Sequence, residues 1–150
     1  MTDSEFGESD GFDLRDFLPY LLNRAAEESA LEFQQIYKDR YGMLRTEWRV
    51  LFHLGNYGQM TAKQIGERAR IHKTKISRAV HRLESRRYLQ RSRSESDRRV
   101  ENLRLTPMGQ SVYRELYGIA GQYDARLAEQ FSTDEVALLR NMLRRLAHMG

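Results

Sequence analysis

Thr61–Thr106 reads TAKQIGERARIHKTKISRAVHRLESRRYLQRSRSESDRRVENLRLT, and the way this stretch divides decides the fold. Thr61-Ala62-Lys63-Gln64 fits a capping box, in which the Thr61 side chain caps a helix start and Gln64 reaches back to it. Ile65 and Ala69 then share one helical face, and Ile71 follows in a turn. Ile76, Ala79, Val80 and Leu83 recur at i, i+3, i+4 and i+7, which predicts a second helix with a single apolar stripe. Stepping about 100° per residue from Ile76 puts Thr74, Arg78, His81 and Ser85 on the far side, flanked by Lys75, Ser77 and Arg82. Tyr88 to Ser94 and Val100 to Leu105 alternate in character, which predicts two strands joined by the polar loop Glu95-Ser96-Asp97-Arg98-Arg99.

Charge singles out the same stretch. Residues 61–106 hold fourteen Lys/Arg and five Asp/Glu, a net +9 in a chain of net +4, so the remainder is −5. A basic middle between acidic flanks is the footprint of a polyanion-binding surface, and nucleic acid is the commonest large polyanion. An outward helix face of cations and hydroxyls suits the DNA major groove, where Arg pairs with guanine in a bidentate way and Ser or Thr meets bases or phosphates. The candidate contacts on this helix are Lys73, Thr74, Lys75, Ser77, Arg78, His81 and Arg82. The strand pair makes a wing whose Arg91, Arg93, Arg98 and Arg99 can lie along phosphates or enter a minor groove. Asp97, acidic in a basic tip, reads as the residue that holds Arg98 or Arg99 in a fixed pose. Thr61, Lys63 and Gln64, at a helix start, are candidates for anchoring phosphate. The bland alternative, a solvated basic face with no partner, has to account for a second helix and a basic hairpin beside it.

Thr46-Glu47-Trp48-Arg49-Val50-Leu51, then the helix pair with Leu83-Glu84 near its end, then Asp97-Arg98-Arg99 and Leu105-Thr106-Pro107-Met108-Gly109, resembles the MarR family of bacterial winged-helix regulators. The resemblance runs from about Leu14 to Leu146, and the Asp-Arg-Arg tip followed by Leu-Thr-x-x-Gly is its most specific part. It implies a homodimer that binds double-stranded DNA and is relieved by a small aromatic or phenolic ligand. By the same resemblance the effector would sit where dimer helices meet the DNA-binding lobe, with Phe17, Tyr20, Arg49 and His53 as candidate lining residues. Three departures stand out. His81 occupies a position where an acidic residue that orients a wing arginine is common, which leaves the helix-to-wing salt bridge open. Arg87-Tyr88 replaces the usual Gly before the wing, and His72 or Lys73 begins the reading helix without a Ser, Thr, Asp or Asn cap.

The rest of the chain frames this lobe. Residues 1–12 read as a flexible acidic arm. Leu14 to Tyr37 predicts a long helix, delayed or kinked by Pro19, within a dimerisation segment of residues 13–38. Thr46 is expected to cap a helix to about Tyr57 that buries Trp48, Val50, Leu51 and Leu54. Met60 is expected to pair with the wing as a third strand, completing a winged helix-turn-helix lobe over residues 46–105. Thr106-Pro107 restarts helix, with a seam of Val112, Leu116, Ile119, Ala120, Tyr123 and Leu127. A second capping box at Ser132 and Glu135 opens a last helix carrying Val136, Leu138, Leu139, Met142, Leu143 and Leu146, so residues 106–150 read as further dimerisation helices. The expected fold class is mainly α.

Composition narrows the function classes. There are no cysteines, which excludes disulfides, thiol redox sensing and thiolate zinc sites. No run of 18 or more apolar residues predicts a membrane span, no secretory signal opens the chain, and the expected location is cytoplasmic. No phosphate-cradling glycine loop or nucleophile elbow is present, and no two of the four histidines form a close helical pair, so neither an enzyme, a cofactor nor a metal site is expected. The reading is therefore a sequence-specific DNA-binding transcriptional regulator, a repressor acting as a homodimer on an inverted-repeat operator. The competing reading is an architectural or protein-interaction module that binds DNA without sequence preference.

Overall fold

The computed structural model describes residues 13–149 of the 150-residue chain; the acidic arm expected over residues 1–12 lies outside the described residues. Six α-helices and three short strands follow in the order α1 (Leu18–Tyr41), α2 (Arg45–Tyr57), β1 (Met60–Thr61), α3 (Ala62–Ala69), α4 (Lys73–Ser85), β2 (Leu89–Arg93), β3 (Glu101–Leu105), α5 (Pro107–Ala128) and α6 (Thr133–Leu146). The architecture is mainly α with a small antiparallel sheet, as the hydrophobic periods predict. The residues fall into two compact units, one ending at Ile36 and the other beginning at Tyr37, and α1 runs through the boundary.

In the first unit the expected helix from Leu14 is interrupted. Asp13 caps a 3-10 turn over Leu14–Asp16 by accepting from the Arg15 N–H at 2.8 Å, and α1 starts only at Leu18. Proline explains the delay: Pro19 lacks an N–H and is tolerated only in a first turn, where that donor has no partner anyway. Leu14, Phe17, Leu18, Leu21 and Leu31 remain exposed, whereas Phe33 is buried.

In the second unit α2 is capped two residues earlier than the expected Thr46. Leu44 is the N-cap, without a side-chain bond, and its carbonyl accepts the first helical N–H from Trp48 at 3.1 Å. The buried side chain of Met43 fixes the chain just before the helix and sets its start. Val50, Leu51 and Leu54 are buried as their spacing predicts. Trp48 is only half-buried and stacks on Tyr37 with ring centroids 5.8 Å apart, and the fully covered neighbour is Glu47.

The α3–α4 pair and the wing build the rest of the core. The capping box at Thr61 forms as its sequence predicts, with reciprocal bonds of 3.1 and 2.9 Å to Gln64. Ile65 and Ala69 of α3, and Ile76, Ala79, Val80 and Leu83 of α4, are all buried. The sheet order is β1-β3-β2, with Met60 opposite Leu103 and Leu89 opposite Leu105, so the third strand expected at Met60 is present. The wing joins α5 through a close backbone approach. Thr106 N–H donates to the Tyr88 carbonyl at 3.0 Å and the Thr106 hydroxyl donates to the Arg87 carbonyl at 2.6 Å. A Cβ on Gly109 would lie 1.9 Å from that same Tyr88 oxygen, so only glycine fits there.

The last two helices are less covered. Val112 and Leu116 of α5 are buried, while Ile119, Ala120, Tyr123 and Leu127 are half-buried. The second capping box closes as read, Ser132 with Glu135, and Arg140 of α6 pairs with Asp124 of α5 at 2.8 Å. Leu138, Leu139, Met142, Leu143 and Leu146 nevertheless stay exposed along α6. Among the described residues no helix is long and apolar enough to cross a membrane.

Because the atom blocking Gly109 is rigid backbone, Gly109→Ala is expected to cost about 1–3 kcal/mol. Urea denaturation followed by circular dichroism should show the midpoint falling with the slope unchanged.

Candidate nucleic-acid interface

Burial of Ile76, Ala79, Val80 and Leu83 orients α4, and everything opposite them is exposed: Thr74, Lys75, Ser77, Arg78, His81 and Arg82, with Lys73 at the helix start. The helix has no Ser, Thr, Asp or Asn cap, as read, but a histidine side chain takes that place. His72 is the N-cap, and its Nδ1 accepts from the Thr74 N–H at 3.2 Å. The turn before it places Arg70 in the left-handed region at φ 57°, and the Ile71 N–H returns to the Gly66 carbonyl at 3.0 Å. At the other end the residue standing where glycine is usual, Arg87, itself adopts φ 65°.

The cations of this face differ in how far they are committed. Side chains of Lys63, Lys73, Lys75, Arg78 and Arg98 make no hydrogen bond or ion pair with any described residue. Arg82 is partly committed: its Nη1 donates to Glu47 Oε2 at 3.2 Å. The wing base is clamped. Arg91 donates to Glu101 at 2.9 Å and to Glu84 of α4 at 3.0 Å, and these carboxylates, Glu101 foremost, raise the guanidinium pKa further above its ordinary value. The helix-to-wing bridge left open by His81 is thus made one turn later, by Glu84. Arg93 donates to the Arg98 carbonyl at 2.6 Å. Asp97 engages Arg99 rather than Arg98, accepting from its backbone N–H at 3.0 Å and its Nε at 3.2 Å. That hydrogen-bonding holds the Asp97 carboxyl below the usual carboxylate range. Thr61 and Gln64 use side-chain acceptors in the capping box, leaving Lys63 as the open cation of that helix start.

The candidate effector residues divide between the two units. Phe17 and Tyr20 belong to the first, where Phe17 is exposed and the Tyr20 hydroxyl accepts from Arg24 at 3.3 Å. Arg49 and His53 belong to the second. Arg49 Nη2 donates to the Ala69 carbonyl at 2.5 Å, and burial, with Arg45 nearby, lowers its pKa from the ordinary value. His53 Nδ1 donates to the Arg49 carbonyl at 2.6 Å. The second unit also holds a file of aromatic rings: Tyr37 on Trp48, Trp48 against Phe52 at 4.8 Å, Phe52 against Tyr113 at 5.2 Å and Tyr113 against Tyr117 at 5.7 Å.

Sequence reasoning missed Glu47, Glu84 and Glu101 as partners of the basic surface, and His72 as a cap. A signal existed for Glu84, which sits three residues after His81 on the same side of the helix. None existed for Glu47, whose partner lies 35 residues away.

A reading helix, a supporting helix and a basic hairpin define a winged helix-turn-helix DNA-binding protein. The MarR family model matches residues 41–100. An uncharacterised HTH-type transcriptional regulator of Bacillus subtilis, YwaE, is 24% identical over 126 residues, spanning 84% of this chain and 74% of that protein. The fold is also that of a MarR/EmrR family transcriptional regulator from Acinetobacter sp. ADP1, with TM-score 0.82 and 25% identity over 91% of this chain and 96% of that one. Bordetella bronchiseptica BpsR, whose DNA binding is regulated by 6-hydroxynicotinic acid, superposes with TM-score 0.82 at 23% identity, over 91% and 96% of the two chains. The chain is thus similar to the MarR family over residues 41–100 and shares the fold of MarR-family transcriptional regulators.

Arg78 is central on the outward face and uncommitted. Arg78→Ala should weaken binding to a specific duplex by about 1–3 kcal/mol and relax preference at one base position. Fluorescence anisotropy with a panel of single-base variants checks both; unchanged affinity and unchanged preference would remove this face from the interface.

Proposed function

We propose that the protein is a cytoplasmic homodimeric repressor that binds an inverted-repeat operator and is released by a small aromatic or phenolic ligand. The observation that carries the DNA-reading part is the row of uncommitted cations on α4, Lys73, Lys75 and Arg78, held outward by four buried apolar residues. In a two-fold dimer the two reading helices would enter successive major grooves about 34–36 Å apart, so the operator should be a palindrome of matching spacing. The wing arginines Arg93, Arg98 and Arg99 would supply phosphate or minor-groove contacts, Lys63 a phosphate contact, and Asp97 would keep Arg99 in place. Dimerisation through residues 13–38 and 106–150 is supported by the apolar side chains exposed on α6 and at the start of α1.

Support for a ligand comes from two sides. BpsR responds to an aromatic acid, and Streptomyces coelicolor PcaV, 24% identical and similar in fold, has been seen with its natural ligand. In this chain the aromatic file through Trp48 and Phe52 links α2 to α5, so a flat ring inserted among these side chains would shift the lobe against a dimerisation helix. A ligand preferring the spacing that does not fit the operator would then lower DNA affinity by shifting populations.

Selection of bound duplexes from a random pool should return a two-fold-symmetric site preferred by about 10³-fold or more over random DNA at fixed salt. A steep salt dependence with no preferred site would instead mark an architectural binder. Trp48 is the sole tryptophan, so its fluorescence reports the aromatic file directly. Titration with hydroxylated aromatic acids should change that emission and weaken operator binding together, and a broad panel that changes neither would exclude the ligand.

A further inference from the structure

We propose that Glu47, from inside the fold, positions Arg82 for DNA recognition, holding its guanidinium at the end of the reading helix so that its free edge meets a backbone phosphate. The inference rests on the operator-binding reading above. Glu47 is the third residue of α2, and its side chain is 2% exposed. Its Oε2 accepts from Arg82 Nη1, while its Oε1 is buried and has no hydrogen-bond partner among the described residues. A carboxylate in such a place persists only beside a cation, because desolvation of an unpaired charge is costly. Arg82 is the cation that the described residues supply, so its guanidinium is held where it is.

The same guanidinium is not enclosed: the Arg82 side chain is 52% exposed. Arginine carries five N–H donors in a rigid fork, and one nitrogen turned inward leaves the others to face outward. Lys75, Arg78 and Arg82 stand at i, i+3 and i+7, one row along α4, so the open edge of Arg82 continues the row of uncommitted cations. Lys75 and Arg78 must each lose side-chain freedom when they meet DNA, whereas Arg82 is already ordered by an anchor beneath it. Pre-ordering of this kind raises affinity without adding a contact. The bond also ties the rotation of the reading helix to α2.

Operator affinity at fixed salt, the salt slope and thermal melting would be measured for the full-length wild type, Glu47→Gln, Arg82→Gln and the double variant. Glu47→Gln keeps the shape and removes the buried charge, and the remaining Arg82 is half-exposed and can be solvated, so melting should change little. Operator binding should nonetheless weaken about 5- to 30-fold, and the same substitution should have little further effect in the Arg82→Gln background. Equal affinity for wild type and Glu47→Gln, or equal losses in both backgrounds, would overturn the positioning role. A gain in affinity would overturn it too, since Glu47 would then be withholding Arg82 from DNA. Arg82→Lys retains a cation for Glu47 but lacks the planar fork, and it should fold normally yet bind more weakly; full binding by it would likewise count against the proposal. The wild-type arm separates the two levels. Wild type that prefers no selected duplex overturns the operator reading, whereas wild type that binds while Glu47→Gln binds equally overturns only the role of Glu47.

Discussion

Burial of four side chains, Ile76, Ala79, Val80 and Leu83, is the constraint on which the rest of this molecule depends. Fully burying an aliphatic side chain of the larger kind is worth roughly 1.5–3 kcal/mol. Rotating α4 by one residue, about 100°, would lift most of that stripe into water. No arrangement of its surface charges could offset such a loss, because exposed ion pairs contribute at most about 1 kcal/mol each. The cationic face is therefore aimed by what lies behind it. Val50, Leu51 and Leu54 of α2, buried in the same unit, provide the matching apolar surface, and the Glu47–Arg82 bond adds a polar register to an otherwise non-directional contact.

The basic residues divide into those that build and those that remain open. Arg91 bridges Glu84 and Glu101 and so fixes the wing base against the reading helix. Arg86 donates to the Tyr41 carbonyl at the end of α1, and Arg49 donates to the Ala69 carbonyl at the end of α3; both are cations placed at helix C-termini, where the macrodipole favours them. A net charge of +9 over residues 61–106 therefore overstates what a polyanion would meet. Uncommitted cations lie along α4 and, as Arg98, at the wing tip, where Glu95 and Asp97 offset Arg98 and Arg99 in formal charge; the wing base between them is internally paired. That pattern suits two kinds of contact, one in a groove and one along a backbone, better than it suits uniform adhesion.

The helices, the wing and the third strand were legible because each is encoded by local repetition: an i, i+3, i+4, i+7 stripe, an alternation, a capping box. The helix starts were less so. Asp13 and Pro19 together reset α1, and the burial of Met43 shifted α2 ahead of Thr46, neither of which a periodic pattern reports. In the interface, exposure was legible and commitment was not. Arg78 and Arg82 look alike on a helical wheel, yet one is open and the other is bonded to a carboxylate 35 residues away. His72 escaped notice as a cap because imidazole caps only through an unprotonated ring nitrogen, a property of protonation state rather than residue type.

The exposed row on α6 links stability to recognition. This helix has a complete capping box and one ion pair to α5, but Leu138, Leu139, Met142, Leu143 and Leu146 lie uncovered in the single chain. A 14-residue helix is marginal in water on its own, and caps contribute only about 1 kcal/mol each. Its persistence as a helix therefore calls for cover on that apolar face, and in the proposed homodimer a second chain supplies it. Folding of the terminal helices, pairing of chains and spacing of the two reading helices would then be one coupled equilibrium, dependent on concentration. A ligand acting anywhere along the aromatic file from Tyr37 to Tyr117 would act on that equilibrium, because the file ends on α5, next in sequence to the helix that needs covering.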